Sequence, residues 1–88
     1  MSKTNKLLVR LLRHPKDFTF NELETLLTSF GFELSNAGGT SGSAVRFINH
    51  KNGHIIRLHK PHPHPEVKPY LVIMVINELK KGGYLDDK

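Results

Sequence analysis

The 88-residue chain has no cysteine and no tryptophan. Without thiols it can build neither a disulfide framework nor a thiolate metal site. Long apolar runs are missing too. The longest, Leu71 to Ile76, falls far short of the roughly 20 residues that span a bilayer. Acid is absent from residues 1–16, which carry Lys3, Lys6, Arg10, Arg13 and Lys16. That basic stretch also lacks the apolar segment and small-residue cleavage site of a secretion signal. The glycine-rich segment between Asn36 and Gly42 has no Gly-Lys-Ser/Thr ending, which argues against a nucleotide-binding loop. These absences lead us to expect one small, soluble, cytoplasmic domain with no membrane association and no small-molecule cofactor.

What is present is unevenly spread. The net charge is +5, yet residues 17–33 hold Asp17, Glu22, Glu24 and Glu33 with no Lys or Arg. Residues 34–69 reverse the sign, with Arg46, Lys51, Arg57, Lys60 and Lys68 against Glu66 alone. The same segment contains His50, His54, His59, His62 and His64, five of the six histidines. A basic surplus concentrated in one segment is consistent with a polyanion partner such as nucleic acid, and equally with a solvated hairpin whose charges are incidental.

The apolar pattern locates the elements. Leu7, Leu8, Leu11 and Leu12 recur at helical spacing, predicting a helix from about Asn5 to Arg13 that stops at His14-Pro15. Thr19 followed by Glu22 is a capping box. Phe20, Leu23, Leu26, Leu27 and Phe30 then line one helical face, and Gly31 is a left-handed terminator. Phe32 to Ser35 reads as a short strand. Ser43 to Asn49 and His54 to His59 both alternate, joined by a turn containing Asn52-Gly53. A four-residue loop pairs Asn49 with His54, so Val45 meets Leu58 and Phe47 meets Ile56. The reverse side then pairs Arg46 with Arg57 and Ala44 with His59. Two adjacent arginines repel unless an anion lies over them, so a phosphate backbone belongs on that side. Four prolines make Lys60 to Pro69 an extended loop, and Tyr70 to Lys81 forms the last helix. Two helices, a three-stranded meander and a final helix give an α+β architecture with helices on one face of an antiparallel sheet.

Three segments carry a family resemblance. They are Gly42-Ser43-Ala44-Val45-Arg46-Phe47, Leu58-His59-Lys60-Pro61-His62-Pro63, and Val67-Lys68-Pro69-Tyr70 opening a helix. In order and spacing this set resembles the HicA family, the toxin components of HicA–HicB toxin–antitoxin pairs. The resemblance covers roughly residues 17 to 85, so residues 1–16 read as an N-terminal helical extension and 17–88 as the HicA-like domain. It implies a fold like the double-stranded-RNA-binding domain, mRNA cleavage without a metal, and neutralisation by a HicB-like antitoxin. It departs from the family at one position. HicA toxins usually place a histidine, regarded as catalytic, where this chain has Ala44, and alanine cannot move a proton. A variant branch using another residue, an attenuated or engineered form, and a domain that binds RNA without cutting it all fit that substitution.

His59, across the expected register from Ala44, is the replacement candidate. An imidazole can accept the 2′-hydroxyl proton in RNA cleavage, and Arg46 or Arg57 can stabilise the charged phosphorane. Ser43, Arg46, Arg57, Lys60, His62 and Lys68 are the expected RNA contacts, with His62 positioning its loop. Zinc on His59, His62 and His64 lacks a fourth ligand, and Ser43 has no Asp partner that would make it a hydrolase nucleophile. The open alternatives are an RNA-cleaving toxin, an RNA-binding protein without nuclease activity, and a module that docks an acidic partner.

Overall fold

Between residues 19 and 31 the chain obeys its capping residues. The Thr19 hydroxyl accepts from the Glu22 backbone N–H, while the Glu22 carboxylate accepts from the Thr19 N–H at 2.9 Å. Two otherwise orphaned donors are thus satisfied reciprocally. At the far end Gly31 takes φ +100°, where a side chain would be strained and would also crowd the Asn49 amide.

The computed structural model describes residues 3–36, 44–61 and 64–85. In chain order these form α1 (Lys3–Leu12), α2 (Phe20–Ser29), β1 (Phe32–Asn36), β2 (Ala44–Asn49), β3 (His54–His59) and α3 (Pro69–Lys81). Helix α1 ends at Leu12, and His14 adopts φ 56°. The residue before Pro15 resists the right-handed helical region, so His14 turns the chain through the left-handed one. Its N–H still reaches the Leu11 carbonyl at 3.0 Å. Helix α3 starts one residue earlier than its apolar pattern suggests. Pro69 occupies its first turn, where the missing N–H costs nothing.

The sheet is antiparallel in the order β1-β2-β3. Its β2–β3 register is the expected one: Ala44 opposite His59, Val45 opposite Leu58, Arg46 opposite Arg57 and Phe47 opposite Ile56. One face buries Phe32, Val45, Phe47, Ile56 and Leu58 against Leu23, Leu26, Leu27, Val72, Val75 and Leu79 from the helices. The sequence pattern places the helices on that face, and the molecule is the α+β, double-stranded-RNA-binding-domain-like fold with the opposite sheet face open. Helix α1 lies against α2 and touches α3. Its Leu11 is completely buried in the shared core.

The proline-rich return is pinned by backbone bonds. Val67 donates to Phe18 at 2.8 Å and Phe20 donates to Pro65 at 2.9 Å. A second tie closes the other end, where the Tyr84 hydroxyl accepts from Asn49 Nδ2 at 2.7 Å and Asn52 Nδ2 at 2.9 Å. Beside it, His54 Nε2 lies 2.8 Å from Glu78 Oε1, joining β3 to α3. Gly82 passes so close to Tyr84 and His54 that a Cβ there would collide with both rings. Among the described residues, no helix is long and apolar enough to cross a membrane.

Candidate functional site

Strand alternation builds the open face in rows. Side chains at every second position share a face, so Ser35 of β1, Arg46 of β2 and Arg57 of β3 form one row across the sheet. Ala44 and His59 form the neighbouring row at one end. Glu33, Ile48 and Ile55 form the row on the other side. Arg57 and His59 are exposed, whereas Arg46 on the central strand is half-buried.

The two arginines differ sharply from the one used for structure. Arg10 donates to Glu22 Oε2 and to the Asp17 carbonyl, and its guanidinium lies 5.2 Å from the Phe18 ring. Neither the Arg46 nor the Arg57 side chain has a hydrogen bond or ion pair among the described residues. The Arg46 Nε–H is shut off from solvent and meets no acceptor. A buried donor left unpaired costs on the order of 1–3 kcal/mol. Two guanidinium groups side by side on a cross-strand pair add repulsion to that cost. An anion over the row would relieve the repulsion.

The remaining sequence candidates fall in different places. Lys60 continues the parity of Ile56 and Leu58, and its ammonium sits 5.5 Å from the Phe20 ring, on the helix side of the sheet. Lys68 is exposed at the N-cap of α3 and makes no side-chain cap. Ser43 and His62 lie outside the described residues. His59 is thus placed with Arg46 and Arg57 on one face, while Lys60 turns to the Phe20 ring on the other side. Among the described residues, no three His, Asp or Glu side chains converge as a metal site would need.

One polar network escapes any reading of local pattern. Asn49 is only 2% exposed, at a core-facing position of β2 where alternation calls for an apolar side chain. It donates to Tyr84 and to the Phe30 carbonyl, and its Oδ1 accepts from the Lys51 N–H at 3.0 Å. These bonds fix the turn that orients β3, and with it the exposed row. The only sequence signal was a lone polar residue on an otherwise apolar side.

Comparison with curated proteins and with solved structures gave no match. The model of one protein family does match, the HicA toxin of bacterial toxin–antitoxin systems, over residues 20–83. That stretch runs from the first turn of α2 to just past α3 and contains the whole sheet. Covering well over half of the chain, it settles the family question: this protein belongs to the HicA toxins.

Proposed function

We propose that the protein binds mRNA across its open sheet face, cleaves it without a metal, and is neutralised by a HicB-like antitoxin. The observation that carries this reading is the unpartnered Arg46–Arg57 pair with His59 on the same exposed face. Phosphodiesters bring the negative charge that such a pair lacks. In the cleavage step the His59 imidazole takes the proton of a ribose 2′-hydroxyl as its oxygen attacks phosphorus. The phosphorus–O5′ bond breaks as solvent water protonates the departing oxygen, a 2′,3′-cyclic phosphate remains, and a further water opens it. Arg46 and Arg57 stabilise the extra charge of the phosphorane. Ser43, His62 and, at the start of α3, Lys68 are further proposed contacts.

Ala44 favours a second reading, in which the chain binds RNA without cutting it. It lies directly opposite His59, at the position where the resemblance to HicA toxins implies a histidine. Expressing the chain beside Ala44→His and His59→Ala variants separates the two, with growth and mRNA integrity as readouts. On the cleavage reading the chain itself arrests growth, and His59→Ala slows cutting by about 100-fold or more. An inactive chain that Ala44→His converts to a nuclease establishes the binding-only reading. Undiminished cutting by His59→Ala removes His59 from the mechanism.

A further inference from the structure

The open face carries an apolar row that the cleavage chemistry does not use. Ile48 and Ile55 are cross-strand partners immediately beside the Arg46–Arg57 pair. Ile55 is 40% exposed and Ile48 half-buried, although an open sheet face normally carries polar side chains here. At the β1 end of this row stands Glu33, whose Oε1 lies 2.9 Å from His50 Nε2. The row is thus closed by a carboxylate on one side and open toward β3 on the other.

We infer that the face takes unpaired RNA, with a phosphate over Arg46 and Arg57 and the adjacent base lying flat on Ile48 and Ile55. This rests on the proposed RNA-binding function and names the form of RNA involved. The argument is geometric. Residues two apart on a strand are separated by roughly 7 Å, a distance comparable to that between a nucleotide's phosphate and its own base. A cationic row and an apolar row at that separation match the two chemically distinct ends of one nucleotide. In a duplex the bases are stacked inward, and only phosphates, ribose hydroxyls and groove edges reach a protein. An apolar platform gains nothing from such a surface. In single-stranded RNA the bases are unstacked and their faces are open to side chains, most often aromatic rings; an isoleucine pair offers apolar area for such a contact without a ring.

Size agrees with this assignment. Strands of five and six residues, at about 3.3 Å per residue and 4.8 Å between strands, give a face that seats only a few nucleotides. Domains of this fold class that read a duplex by shape follow about 16 base pairs over two successive minor grooves, a longer track than this sheet face provides. Glu33 contributes by repulsion, keeping the next phosphate away from the β1 end of the apolar row.

The test is binding of a short 2′-O-methyl oligoribonucleotide, which lacks the attacking hydroxyl and is not cut. It is compared with the same strand annealed to its complement, and with an Ile55→Ser variant. Ile55 is exposed, so this substitution leaves the core intact; an unchanged thermal melt verifies it. The expected result is at least tenfold tighter binding of the single strand, and about a tenfold loss of that binding in Ile55→Ser. Duplex binding as tight as the single strand, or single-strand binding indifferent to Ile55→Ser, overturns the base platform while leaving RNA binding in place. If neither form binds at low salt, the RNA reading falls as well, and the face belongs to a protein partner.

Discussion

Glu22 serves two structures at once. One oxygen closes the capping box on Thr19, and the other pairs with Arg10 of α1. The Arg10 hydrogen bond is the main reason its carboxyl is held below the ordinary value of 4.5; the Thr19 N–H assists, and partial burial opposes. A carboxyl that is more acidic in the native state stabilises the fold fully above its unfolded value. That contribution is lost as pH falls from about 4.5 through the lower native value. Glu22→Gln keeps an oxygen for the capping box but removes the charge. With the side chain about one-third exposed, the loss at neutral pH is on the order of 0.5–1 kcal/mol. Urea unfolding followed into the acid range measures it. The variant and the parent should converge as Glu22 is protonated, whereas a gap independent of pH assigns the effect to packing.

Helix α1 lies ahead of the stretch that matches the family model, yet Leu11 is fully buried among residues of that stretch. We therefore predict that Leu11→Ala costs about 2–5 kcal/mol. Starting the chain at residue 17 should cost more, since it also strips Leu7 and Leu8 from the core and Arg10 from Glu22. Denaturant midpoints measure both. A truncated chain as stable as the whole would make α1 a dispensable attachment. How far such elements can be read in advance depends on how local their determinants are. The α2 cap, the Gly31 stop and the β2–β3 register rest on residues within a few positions of one another, and so they were legible. The grouping of Arg46, Arg57 and His59 on one sheet face followed from that register. What stayed hidden depends on distant partners: Asn49 with Tyr84, Arg10 with Glu22, and Lys60 drawn to Phe20. Strand alternation assigns Ile48 and Ile55 to the open side, but only exposure distinguishes a platform from a covered pair.

The charge of the whole molecule is divided between two sides. Lys6 lies on α1 and Arg13 directly after its last residue, both on the helical side, while Arg46 and Arg57 lie on the open face of the sheet. The molecule extends 21 Å along its shortest axis, and exposed charges more than a Debye length apart, roughly 8–10 Å at moderate ionic strength, are largely screened from one another. Cations on the helical side are thus largely screened from a phosphate held on the sheet, and their effect on RNA should be weak. Counterion release supplies a count of the phosphates that are touched. For single strands, each neutralised phosphate contributes about 0.7 to the slope of log affinity against log salt. Arg57→Gln should lower that slope by close to one such increment and weaken binding across all sequences. Lys6→Gln combined with Arg13→Gln should leave the slope unchanged and shift affinity only at low salt. If the Lys6 and Arg13 double variant lowers the slope as much as Arg57→Gln does, the RNA runs over the helices. The arginines of the sheet would then have to be answered by some other anion, of which an acidic segment of the antitoxin is the nearest chemical equivalent.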